Sequence, residues 1–237
     1  MTPWTARRFW KQATAAAAGG GGFTVLLDDR PLRTPAKAPF VVPTRALAEA
    51  AAAEWKAQEG ALRPATMPLT RFANTAIDTV APNLAAVAGT VSAYAGTDLL
   101  CYRAEGPAAL VDRQKAAWDP LLDWAAGRFR VRLAVTSGVM PLAQPDDVLS
   151  ALGAAVRTAS PFELTALHDL TALSGSLVIG LAAFEGAFRP DDLWAAARID
   201  EDWQTEIWGE DAEAAAAAAD RRQAFMQALD FRMLIRA

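Results

Sequence analysis

Between Ser174 and Phe184 the chain reads Ser-Gly-Ser-Leu-Val-Ile-Gly-Leu-Ala-Ala-Phe, with no charged residue on any face. As a helix this segment is apolar all round, and such a helix has to be buried on every side. It therefore requires a surrounding shell of other elements, with itself at the centre. Gly175 and Gly180 weaken its intrinsic helix propensity, so burial has to hold it in place.

The rest of the sequence supplies that shell. Roughly a quarter of the residues are alanine, the residue that loses no side-chain entropy in a helix, so most of the chain is expected to be helical. Leu84, Val87, Val91 and Tyr94 form one stripe, from about Pro82 to Gly96. Leu110, Val111, Gln114 and Trp118 follow Pro107, with a kink or restart expected at Pro120. Val148, Leu149, Leu152 and Val156 mark a further helix, and Ser160-Pro-Phe-Glu163 is a capping box that opens the next. One helix is expected from about Asp191 to Trp208, broken at Gly209. A last one starts in Glu210-Asp-Ala-Glu and carries Arg221 and Arg222 further along, as the helix dipole favours. Arg128 to Val135 alternates strictly and predicts a lone strand, with Phe129, Val131, Leu133 and Val135 on one face and Arg128, Arg130 and Arg132 on the other.

The beginning differs. Gly19 to Gly22 precede Phe23-Thr-Val-Leu-Leu, and β-rich runs punctuated by turn residues continue to Pro43, which predicts a small antiparallel sheet. Thr44 then caps a helix with Leu47, Ala51 and Trp55 on one face, ending at Gly60 and packing on the sheet. The expected fold class is α+β: a small N-terminal β-rich α+β domain, residues 1–78, and a larger, mainly helical domain, residues 79–237.

Composition narrows function. The chain has 237 residues, 53% hydrophobic and 21% charged, with no uninterrupted apolar run of about 18 residues, so no membrane insertion is expected. With 23 Lys and Arg against 27 Asp and Glu, the net charge is −4, and no nucleic-acid partner is expected. The single Cys101 and single histidine exclude an intramolecular disulfide and a His/Cys metal cage, and a reducing compartment fits. Met1 to Lys11 is basic, but no apolar signal core follows, so the expected location is the cytoplasm.

Candidate chemistry is sparse. His168-Asp169 with Ser174 or Ser176 is the one triad-like group, yet neighbouring helical residues diverge by about 100° and no nucleophile elbow is present. Gly19 to Gly22 leads into a strand, where a phosphate loop would lead into a helix. The arginines at 128, 130 and 132 read as a solvated face. No catalytic residue, metal or cofactor is assigned. The densest segment is Arg198-Ile-Asp-Glu-Asp-Trp-Gln-Thr-Glu-Ile-Trp-Gly-Glu-Asp211. Its acids have three readings: general acid/base or divalent-metal chemistry across Asp200 to Glu213, a solvated face above a core-facing Trp203/Ile207 stripe, or a protein-docking surface.

Seven segments together resemble one family. They are Arg8-Phe-Trp-Lys, Val25-Leu-Leu-Asp-Asp-Arg-Pro-Leu-Arg-Thr-Pro, Glu54-Trp-Lys-Ala-Gln, Met67-Pro-Leu-Thr-Arg-Phe-Ala-Asn-Thr-Ala-Ile-Asp, Tyr94-Ala-Gly-Thr-Asp-Leu-Leu-Cys-Tyr-Arg-Ala, Trp118-Asp-Pro-Leu-Leu-Asp-Trp, and Asp200-Glu-Asp-Trp-Gln-Thr-Glu-Ile-Trp-Gly. In order and spacing they resemble the assembly chaperones of the F-type ATP synthase α subunit, over about residues 7 to 225. The resemblance implies a non-enzymatic chaperone that binds the unassembled α subunit and shields the surface later met by the β subunit. It implies a monomer, cytoplasmic in bacteria and in the mitochondrial matrix in eukaryotic relatives. A metal-dependent enzyme and a generic interaction domain are the alternatives. The resemblance places partner binding at Asp200, Glu201, Gln204, Glu206 and Trp208. It places structural roles at Trp55, which is expected to be buried, and at Asp98, Trp118 and Gly209. Asp29 stands where relatives commonly carry glycine, which puts the shape of that turn in question.

Overall fold

The computed structural model describes residues 7–138 and 140–237. The reading of the first six residues as part of a leaderless N-terminus lies outside that range. Two compact units form: Met1–Leu84 with Pro161–Thr165 and Asp230–Ala237, and Ala85–Ser160 with Ala166–Leu229.

The first unit is built on a three-stranded antiparallel sheet, β1 (Ala13–Ala17), β2 (Phe23–Leu27) and β3 (Arg30–Pro31), in that order. Register runs from Ala13 opposite Leu27 to Ala17 opposite Phe23. β1 was not expected, because alanine favours helix. Here strand pairing overrides propensity, and the small side chains let helix α1 (Arg45–Lys56) pack closely on β1 and β2 through Leu47, Ala48, Ala51 and Ala52. Thr44 caps α1 as expected, its hydroxyl accepting from the Leu47 N–H at 3.2 Å. The helix stops at Ala57, three residues before Gly60. Its end is closed by Arg8, whose guanidinium donates to the carbonyls of Lys56 at 3.1 Å and Gln58 at 2.7 Å. Trp55 is half-buried, edge-on to Trp10, with Nε1 enclosed and unbonded among the described residues.

In the β2–β3 turn it is Asp28, at φ 54°, that takes the left-handed conformation. Its carboxylate accepts from the Lys11 and Gln12 N–H groups at 3.0 Å each. The question raised at Asp29 thus belongs one residue earlier.

A helical stretch not expected before residue 78 begins with α2 (Pro68–Thr75) and runs through a π turn, Ala76–Val80, into α3 (Leu84–Ala93). The start of α2 is capped from α1: the Glu54 carboxylate accepts from the Leu69 N–H at 2.7 Å, the Thr70 N–H at 2.8 Å and the Thr70 hydroxyl at 2.7 Å. Among the described residues, the helical stretch Pro68–Cys101 is long and apolar enough to cross a membrane by length and composition alone. Counting only uninterrupted apolar runs passes over it. Much of its apolarity is alanine, and it carries Arg71, Asp78 and Asp98, with Asp78 bonded to the Thr34 hydroxyl at 2.7 Å.

In the second unit α4 (Ala108–Phe129) passes through Pro120, the site of the expected kink or restart, without restarting. It ends at Arg130 in the left-handed conformation, φ 58°. The expected strand over 128–135 is therefore absent: Arg128 and Phe129 complete α4, and Arg128 pairs with Glu185 at 2.8 Å. Ala134 finds its strand-like partners in a side chain instead. Its N–H donates to Gln144 Oε1 at 2.9 Å and its carbonyl accepts from Gln144 Nε2 at 2.8 Å. From this stretch onward, among the described residues, only β5 (Thr136–Ser137) pairs as a strand, parallel to β4 (Tyr102–Arg103).

After α5 (Asp146–Arg157) and α6 (Pro161–Ser174) comes α7 (Leu177–Glu185), in which every residue from Leu177 to Phe184 is buried. It is the central helix the apolar segment required, packed on α4 and on α8 (Pro190–Ala197). The single helix expected over 191–208 is two, because Arg198 leaves helical geometry between α8 and α9 (Ile199–Trp208). Gly209, at φ 89°, ends α9 before α10 (Ala212–Leu234).

Candidate functional site

Helix α9 packs chiefly on α4. Ile199 is its one buried residue, so apolar burial anchors its start and polar contacts with α4 anchor the rest. Trp118 of α4, wholly buried, donates from Nε1 to the Ala196 carbonyl at 2.8 Å, just ahead of α9. Gln114 Nε2 donates to Asp200 Oδ1 at 2.6 Å. Arg113 makes a two-pronged contact with Glu206, at 2.7 and 2.9 Å, while its guanidinium lies 5.0 Å from the Trp203 ring centre. This pairing holds the Glu206 carboxyl below, and the Arg113 guanidinium above, their ordinary ranges.

The opposite face is open. Trp208 is 77% exposed there, and Ile207, at the helix flank, is 54% exposed, so of the three readings the one with a core-facing Trp203/Ile207 stripe is corrected: Trp203 lies under Arg113 and Ile207 faces solvent. Glu201, Gln204 and Trp208 stand at helical spacings of three and four, which puts them on one outward stripe. Arg198 lies beside this stripe, 3.7 Å from Glu201 and 3.3 Å from Asp202. The five residues singled out in the sequence thus share a helix but face two ways, Asp200 and Glu206 toward α4 and the other three away from it.

The remaining candidates are placed elsewhere. Asp98 is completely buried and accepts from the Ser176 hydroxyl at 2.7 Å, the Val178 N–H at 3.0 Å and the Leu100 N–H at 3.1 Å. It supports the start of α7, and burial pushes its carboxyl upward. Cys101 beside it is pushed up to about 12 by burial first and the Asp98 charge second, so its thiolate is suppressed. His168 bonds to Asp169 at 2.9 Å, whereas Ser174 bonds to backbone carbonyls and Ser176 to Asp98. No serine–histidine contact occurs among the described residues, nor do three His, Cys, Asp or Glu side chains gather there around a metal-sized point. Sequence reasoning passed over Arg113 as a site residue, because its role depends on α4 and α9 meeting 93 positions apart in the chain.

Residues 7–126 match the model of the family described as ATP12 chaperone protein. The whole fold is similar to the crystal structure of Atp12 from Paracoccus denitrificans, at 50% identity and a TM-score of 0.94, covering 97% of this chain and 98% of that one. The structure of the D202K mutant of P. denitrificans Atp12p, named in that protein's own numbering, matches to the same extent. The crystal structure of Atu1473 protein from Agrobacterium tumefaciens is similar at 44% identity and a TM-score of 0.91, covering 96% of this chain and 85% of that chain.

Proposed function

The chain belongs to the ATP12 chaperone family, and on that premise we propose that it assists assembly of the F-type ATP synthase by binding the free α subunit. The bound chaperone shields the α surface that later meets the β subunit. The observation that carries this reading is the outward face of α9, where Trp208 stands 77% exposed on the stripe it shares with Gln204 and the Glu201 carboxylate, on a helix that has a single buried residue. An exposed aromatic with an acidic surround is the composition of a docking surface, with the ring as anchor and the acids as selectors of a basic rim. An orphan subunit offers the counterpart, an apolar interface that is unstable in water until covered.

No catalytic step, metal or cofactor is assigned. The chaperone acts as a monomer in the cytoplasm, and the β subunit displaces it by competing for the same α surface. Partner binding is assigned to the helix that carries Asp200, Glu201, Gln204, Glu206 and Trp208. Trp55, Asp98, Trp118 and Gly209 maintain the fold that presents them. Pull-down with separately purified α and β subunits tests the assignment: capture of α alone, with suppression of α light scattering, is the expected result. Capture of neither subunit, or protection of β as effective as that of α, overturns it.

A further inference from the structure

We infer that the acidic helix divides its labour, Glu201, Gln204 and Trp208 forming the stripe that touches the partner while Arg113 positions the helix from behind. The inference rests on the α-subunit reading above and assigns roles within that surface. Glu201, Gln204 and Trp208 recur on one face, and that face lies across the helix axis from Ile199 and Trp203. Trp208 is 77% exposed, so its ring has apolar area to bury against a partner.

Arg113 works on the other side. A ten-residue helix is too short to persist in water by itself, and α9 buries only Ile199. Beyond that residue, it is joined to α4 by Gln114 with Asp200 and by Arg113 with Trp203 and Glu206. The Arg113 fork grips Glu206 through two parallel bonds, a geometry that fixes orientation as well as distance. Glu206 is two residues from Trp208, so this grip sets where the exposed ring stands. It also pairs the Glu206 charge with Arg113 on the α4 side, leaving Glu201 as the carboxylate that shares the ring's face. The fitting partner segment has an apolar pocket for an indole with a basic side chain about two helical turns away, since Glu201 and Trp208 are seven residues apart.

The test pairs two measurements on the full chain. Amide hydrogen exchange of the free protein reads α9 order, and binding to isolated α subunit reads docking. Arg113→Met is expected to speed exchange over residues 203–208 by about tenfold, to leave the exchange of α7 unchanged, and to weaken α binding about three- to tenfold. Arg113→Lys, which keeps the charge without the fork, is expected to fall between Arg113→Met and wild type in both measurements. Trp208→Ala is expected to leave exchange unchanged and to weaken binding by tenfold or more. Unchanged α9 exchange in Arg113→Met, or faster exchange with full affinity, overturns the positioning role. Full affinity in Trp208→Ala overturns the contact stripe. Failure of the wild-type chain to bind α overturns the functional reading itself, and the exchange measurement separates that failure because it uses no partner.

Discussion

Gly180 of α7 faces Thr171 of α6 at a separation that excludes any side chain: a β-carbon on Gly180 would lie 3.1 Å from both the Cα and the N of Thr171. The Thr171 hydroxyl is itself buried without a hydrogen-bond partner among the described residues. Glycine here serves close approach of two backbones, which explains why a poor helix former sits inside the most buried helix. Gly180→Ala is expected to destabilise the fold by about 1–3 kcal/mol through overpacking, although alanine gains about 1 kcal/mol in helix propensity. Urea unfolding measures the balance, and a variant as stable as wild type would show that the two helices can separate freely.

Asp98 ties the turn at Leu100 to the start of α7 through the three bonds given above. Asp98→Ala removes the acceptor and leaves buried N–H groups of Leu100 and Val178 unsatisfied, each costing about 1–3 kcal/mol. Total loss of about 3 kcal/mol or more is expected from denaturant unfolding. Cys101 reports on the same region, since its thiol is buried and its pKa stands at about 12. Thiol labelling at neutral pH is expected to be slow in the native wild type and to accelerate in the variant. Equal labelling rates would remove Asp98 as the lock on this corner.

Much of this architecture was legible before any coordinates. Leu177 to Phe184 announced the central helix because an all-apolar segment has one environment available to it. Thr44 and Gly209 marked helix ends through local chemistry that needs no tertiary partner. Ala13 to Ala17 was not legible as a strand, since its state is set by pairing with Phe23 to Leu27 and by the helix packed upon it. Alternation from Arg128 to Val135 misled because Trp124 and Phe129, stacked edge to face at 5.7 Å, belong to one helix end. The acid-rich segment was recognisable as a site, but its two faces were not, because only Arg113 and Gln114 decide which carboxylates turn inward.

His168 is the chain's one histidine, so its titration can be followed by NMR without assignment ambiguity. The bond to Asp169 raises its pKa above 6.5, with burial opposing. A raised folded-state value means that the protonated form is favoured by folding. The stabilisation is therefore complete below pH 6.5 and disappears as pH rises through the higher folded value. Asp169→Asn is expected to lower the midpoint and abolish that pH dependence. A midpoint at or below 6.5 in the wild type would contradict the contact.

The β2–β3 turn offers a direct check on where left-handed geometry sits. Asp28, at φ 54°, also binds two N–H groups through its carboxylate, and those bonds hold its pKa below 3.8. That contribution is present above pH 3.8 and is lost as pH falls through the lower folded value. Asp29 has no positive φ, so Asp29→Gly relieves nothing and should cost about 0.5 kcal/mol in chain entropy. Asp28→Gly relieves the backbone but forfeits the bonds, and Asp28→Asn keeps an acceptor and is expected to be the milder change. A clear rise in melting temperature for Asp29→Gly would move the strain back to that position.

Glu201 tests the docking face by charge without disturbing the helix beneath it. Its side chain is 48% exposed and its nearest cation, Arg198, is 3.7 Å away, a surface pair worth about 1 kcal/mol or less. Glu201→Lys should therefore fold with a melting temperature within a few degrees of wild type. Against a basic partner rim the reversal replaces attraction with repulsion on the same stripe as Trp208, slowing association most at low salt. About a tenfold higher chaperone concentration is expected to be needed to suppress light scattering by isolated α subunit, with the deficit narrowing as salt is raised. Equal protection by variant and wild type at low salt would take Glu201 out of the interface and leave Trp208 to act without a charged neighbour.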